Sequence, residues 1–180
     1  MAGTHTVLSV PVQIDTEIFH EFAVFDVIRR RKRWVRPLVF AVLLLVAALF
    51  PFLRGDVIPG VVLVVLGIGL PAVYFGMFFH SVNQQAQGMG LERPRIAYRV
   101  DLDENGVRMW PAGKQDKAAE AVTHAWADLY GAWRTPTAIY LYNSATQAYL
   151  LPAEQIPGGA DALWTLLQAH MPAAKLHITR

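Results

Sequence analysis

The stretch "PLVFAVLLLVAALFPFLRGDVIPGVVLVVLGIGLPAVYFGMFF", Pro37 to Phe79, decides the fold class of this chain. It consists of two uncharged runs, Pro37–Leu53 of 17 residues and Val57–Phe79 of 23, separated only by Arg54-Gly55-Asp56. At ~1.5 Å per helical residue the first run reaches about 26 Å and the second about 34 Å, against ~30 Å for a hydrocarbon core. Trp34 and Val35 extend the shorter run into the interface. Core helices of soluble proteins keep a polar stripe, whereas Tyr74 is the most polar side chain in either run. The two runs read as a membrane hairpin. Its turn spells "RGD", but three residues held at headgroup depth between two helices make a poor adhesion ligand.

Outward from the hairpin, charge is distributed unevenly. The chain has 180 residues, is 54% hydrophobic and 17% charged, and carries a net charge of +2. Residues 1–36 hold six Lys/Arg against four Asp/Glu, and residues 81–180 hold nine of each. The whole excess lies in Arg29, Arg30, Arg31, Lys32, Arg33 and Arg36, directly before the first run. A basic block in that place is a topology signal and a contact for anionic lipid headgroups rather than a nucleic-acid arm. It places both termini in the cytoplasm. No Asp, Glu, Lys, Arg or His lies inside either run, which argues against a proton relay or transport path. Gly60 and Gly67, and Gly69 and Gly76, form two pairs at seven-residue spacing that would let helices approach closely, with Ala41, Ala47 and Ala48 opposite. Packing within the hairpin is preferred to a dimer seam. Pro71 is expected to kink the second helix.

The flanking segments divide the rest. Residues 1–36 read as a strand over His5–Ile14, weakened at Pro11, then a helix capped by Asp15 with Ile18, Phe22, Phe25 and Ile28 on one face. That helix either lies along the inner membrane surface or packs on the C-terminal domain. Residues 37–79 are the hairpin (37–53 and 57–79), and 80–95 have linker composition. Over 96–180 the period becomes two, with strands expected at 96–102, 107–110, 122–126, 130–133, 138–142 and 148–151, then an amphipathic helix after Gly158-Gly159. The fold class is thus a membrane helical hairpin plus an α+β cytoplasmic domain, an antiparallel sheet or small barrel capped by a C-terminal helix.

Chemistry is sparse. The chain has no cysteine, which removes thiolate metal sites and disulfides. The histidines lack metal-ligand spacing, and no nucleophile elbow or phosphate-binding loop is present. "DLDENG" (Asp101–Gly106) imitates the first half of a calcium loop, but position 12 is Ala112. It reads better as a hairpin with a type I′ turn at Asn105-Gly106, and Asp101 and Asp103 on one solvated face. No metal, cofactor or catalytic residue is expected. Tyr140 and Tyr142 share one strand face; they are either aromatic core or a surface presented to a partner.

Three stretches, "YRVDLDENGV", "HAWADLYGAW" with Trp126 and Asp128, and "YLLPAEQI" before the closing helix, resemble the YcxB-like membrane protein family. The resemblance covers nearly the whole chain. It implies a bacterial inner-membrane protein whose C-terminal domain is PH-like, and it brings no catalytic residue. The expected function is a membrane-anchored cytoplasmic interaction domain that binds a protein partner or lipid headgroups. The alternative is a membrane enzyme acting on a lipid or envelope intermediate.

Overall fold

The computed structural model describes residues 8–32, 34–91, 95–111 and 121–179. Arg33 and the charged loop 112–120 lie outside the described residues, as do 1–7 and 92–94. The chain forms two compact units. One contains the strand before the hairpin together with everything after it; the other runs from Phe19 to the end of the second apolar helix.

In the helical unit, α1 (Thr16–Val24) passes into a π-helical segment, Phe25–Arg30, and then into α2 (Val35–Leu53) and α3 (Val57–Gly88). Asp15 caps α1 as expected, its Oδ1 accepting the Ile18 amide at 2.9 Å. Between α2 and α3 the turn closes as a Schellman motif. The Gly55 amide donates to the Phe52 carbonyl at 3.1 Å and the Asp56 amide to that of Pro51 at 2.9 Å, with Gly55 at φ +85°. α2 and α3 are long and apolar enough to cross a membrane. Only 11% of α2's most apolar window and 6% of α3's is buried, whereas a helix in a soluble core is mostly covered. What is buried is small: Ala41 and Ala48 on α2, Gly60 and Gly67 on α3. A Cβ on Gly67 would lie 3.1 Å from the Leu45 side chain and 3.3 Å from the Ala41 carbonyl, while Gly69 and Gly76 face open space. The first glycine pair therefore packs the hairpin on itself, and Ala47 stays exposed. α3 continues past the apolar run to Gly88, so Ser81–Gly88, although linker-like in composition, is helical.

The sheet unit holds eight strands in two four-stranded sheets. In the first, β1 (Leu8–Ile14), β2 (Arg95–Leu102), β3 (Gly106–Pro111) and β4 (Val122–Ala125) pair antiparallel in chain order. In the second, the order is β7 (Ala148–Pro152), β6 (Ala138–Tyr142), β5 (Gly131–Arg134), β8 (Leu176–Ile178), and β8 runs parallel to β5. Helix α4 (Gly159–His170) follows β7 and buries Leu163, Trp164 and Leu167. Six of these strands and α4 match the sequence expectation. Three features do not. β1 joins the domain beyond the hairpin, with Val10 opposite Val100 and a bulge at Val12/Gln13; its Pro11 is tolerated because β1 is an edge strand. β8 makes the second sheet mixed rather than wholly antiparallel. No closed barrel forms, because β4 leads through a 3₁₀ turn (Trp126–Asp128) into a different sheet without pairing to β5.

The two sheets are locked by Tyr98 of β2. Its hydroxyl donates to the Leu150 carbonyl of β7 at 3.1 Å and accepts the Leu150 amide at 2.7 Å. Val10, Val12, Val100, Leu102 and Val107 of the first sheet and Ile139, Leu141 and Leu151 of the second are fully buried.

Candidate functional site

The π-helical segment positions the basic block. An α-helix places residue i+4 beside i; widening to the π repeat brings i+5 there as well. Asp26 consequently meets both Arg30 (Nη1 to Oδ1, 2.9 Å) and Arg31 (Nε to Oδ2, 2.7 Å), and the Arg31 amide donates to the Asp26 carbonyl at 2.8 Å. Lys32 then takes a left-handed backbone, φ +48°, the only non-glycine residue described with positive φ. That conformation costs a residue with a Cβ roughly 1–2 kcal/mol. The chain turns there into α2, with the Trp34 indole Nε1 donating to the Ile28 carbonyl at 3.1 Å. Arg31, Lys32 and Arg36 are brought together with Pro37 and Tyr74 around a cavity of about 530 Å³. Arg29 is exposed and lies elsewhere on the segment, and Arg30 is held by Asp26. The role of Asp26 was legible as an acidic residue four positions before an arginine. Tyr74 was visible only as the one polar side chain in the apolar runs.

A second feature lies in the sheet unit. Trp164, Gln168 and Met171 from α4 and the turn after it, with Ala173, Leu176 and Ile178, line a groove of about 300 Å³. β8 borders it with strand pairing on one side only. The Trp164 indole Nε1 is buried and has no hydrogen-bond partner among the described residues. The amide of Thr179 donates to the Arg134 carbonyl at 2.8 Å, so by strand alternation the N–H and C=O of Ile178 point away from β5. β8, Leu176-His177-Ile178, alternates but at three residues is too short for its period to identify a strand.

The remaining candidates resolve differently from the sequence reading. Tyr140 and Tyr142 are 1% and 0% exposed, so the partner-facing reading is overturned. β6 is central in its sheet and buried along its whole length, and Trp133 of β5 packs edge-on against Tyr142. Asp101 and Asp103 are buried rather than solvated. Asp101 accepts the Ser9 hydroxyl at 2.6 Å, across the β1 pairing, and pairs with Arg99 at 3.0 Å. Asp103 Oδ1 accepts the Asn105 and Gly106 amides at 2.8 and 3.0 Å, and its carbonyl accepts the Trp126 indole Nε1 at 3.1 Å. These carboxylate bonds let Glu104 and Asn105 turn without positive φ, so the turn is not type I′. Among the described residues no group of three or more metal-ligating side chains converges. His124 Nε2 lies 3.0 Å from the Tyr149 hydroxyl, and Trp126 stacks on His170. Desolvation pushes the phenols of Tyr98 and Tyr149 above their ordinary range, Tyr98 further, against the smaller lowering effect of its Leu150 bonds. In comparisons with known proteins, the chain matches no family model, no curated protein and no solved structure.

Proposed function

We propose that this chain is a membrane-anchored interaction module of the bacterial inner membrane. The α2–α3 hairpin crosses the bilayer twice, both termini are cytoplasmic, and the sheet unit binds a protein partner. The observation that carries the binding role is the groove beside β8, which borders a strand edge whose Ile178 N–H and C=O point away from β5. An extended segment of a partner would pair with the outward N–H and C=O of Ile178 and lay its side chains along the apolar groove. The pairing of β1 with β2 supports the topology: strands before and after the hairpin belong to one sheet, which requires an even number of crossings. The basic block before α2 supports the cytoplasmic side. The proposal includes what the resemblance to YcxB-like proteins implies, a PH-like domain after two membrane helices, here with its two sheets not closed into a barrel.

The test is site-specific photo-crosslinking in intact membranes. A crosslinker at Gln168 in the groove is expected to capture one defined neighbour through a contiguous extended segment, and one at exposed Glu104 is not. The same neighbours from both positions would sink the reading.

A further inference from the structure

The cavity at the start of α2 combines three features that recur where proteins hold phosphoryl groups. Its cations are in excess. Of the described residues that line it, Arg31, Lys32 and Arg36 are cationic and none is acidic, and Arg31 is bonded to Asp26. Arg31 is fixed in place by this bond, which lowers the entropic cost of presenting a guanidinium to a ligand. Lys32 reaches the cavity only through a left-handed backbone that a glycine would adopt at no cost. The second feature is Tyr74, which brings to the cavity the only hydroxyl found in the two apolar runs, from the other helix. The third is depth. Arg36 and Pro37 stand in the first turn of α2, where charge gives way to the apolar run; in a membrane that is the level of the headgroups.

We propose that Arg31, Lys32, Arg36 and Tyr74 form a binding site for a phosphoryl group, supplied by an anionic phospholipid whose headgroup enters between α2 and α3. Arginine suits this ligand because its planar fork matches two phosphate oxygens at once, and a phosphodiester with its glycerol fits a volume of about 530 Å³. The site differs from diffuse attraction between a basic block and a charged surface, since it depends on which cation is removed and on an uncharged side chain from α3. It rests on the reading that the hairpin crosses a membrane.

The experiment uses the purified full chain in a neutral detergent and follows thermal unfolding against phosphatidylglycerol, phosphatidylcholine and inorganic phosphate. Phosphatidylglycerol is expected to raise the midpoint at concentrations about tenfold below those at which phosphatidylcholine acts. Arg36→Ala is expected to raise the half-saturating phosphatidylglycerol concentration about tenfold and Tyr74→Phe about threefold, with Arg29→Ala changing it by less than about twofold. Tyr74→Phe keeps both charge and packing, so the test survives if Arg36→Ala fails to fold. Stabilisation by the lipid alone identifies a headgroup as the source; equal stabilisation by inorganic phosphate supports the same site with a soluble phosphate as its ligand. Equal losses in Arg29→Ala and Arg36→Ala with no effect of Tyr74→Phe overturn the site. Release of the chain from membranes by alkaline carbonate overturns the hairpin reading instead, whatever the titrations show.

Discussion

Gly106 shows how a residue chosen by a sequence rule can be needed for a different reason. Asn105-Gly106 suggests a turn glycine, yet the turn is made by the Asp103 carboxylate, and Gly106 begins β3 opposite Ala125 of β4. A Cβ built on it would fall on the carbonyl oxygen of His124, backbone that has no room to move. Gly106→Ala is therefore expected to cost about 1–3 kcal/mol, read as a lower midpoint in urea unfolding of the full chain, while Asn105→Ala at the exposed turn costs less. Tyr98 gives a pH-dependent counterpart. Its hydroxyl serves both polar groups of Leu150, so Tyr98→Phe strands a buried amide and carbonyl at about 1–3 kcal/mol. The folded state keeps this phenol protonated above its ordinary value of 10.0. Above about pH 10 the unfolded chain releases a proton that the folded chain retains, so stability is complete below that pH and falls as pH rises further. Unfolding midpoints measured between pH 8 and pH 11, at about one-unit steps, should decline more steeply in the wild type than in Tyr98→Phe.

At the scale of elements, the hairpin and β8 make opposite demands on substitution. Gly67 stands against Leu45 and the Ala41 backbone, and Gly69, two positions on, meets nothing within 4 Å. Gly67→Val should lower the thermal midpoint in detergent by pushing α2 and α3 apart, a cost of about 1–3 kcal/mol, with Gly69→Val close to neutral. Equal effects of the two would show that the hairpin packs by a different face. In β8, the Ile178 N–H points away from β5, so Ile178→Pro removes a donor that the fold does not use. Folded stability should change by less than about 1 kcal/mol, while crosslinking of a partner from Gln168 is expected to disappear. Retained crosslinking would exclude strand addition at this edge. The π-helical segment belongs to the same scale: it aligns Arg30 and Arg31 on one carboxylate, which α-helical spacing alone would not do.

For the whole molecule, the controlling feature is that β1 is separated from the sheet it completes by the entire hairpin. Val10, Val12 and Ile14 are buried there, each worth about 1.5–3 kcal/mol, and a domain of this size is stable by only about 5–15 kcal/mol. A fragment of residues 95–180 should therefore lack a fixed core, with weak near-ultraviolet dichroism and strong dye binding, and joining residues 1–18 ahead of it through a flexible linker should restore the native spectrum. A well-folded fragment without β1 would show that the strand is dispensable. What the sequence determined by itself was whatever is local in the chain: the two apolar runs, the capped helix after Asp15, six strands by their period of two, α4, and the position of the basic block. Each follows from composition or spacing within a few residues. Only the tertiary structure decided that β1 pairs with β2, that β8 inserts parallel beside β5, and that Asp101, Asp103, Tyr140 and Tyr142 are buried. It also decided that Tyr74 meets Arg31, Lys32 and Arg36 at one cavity. These depend on which distant segments cover a given face, and a strand's alternation states that it has two faces without stating what lies against either.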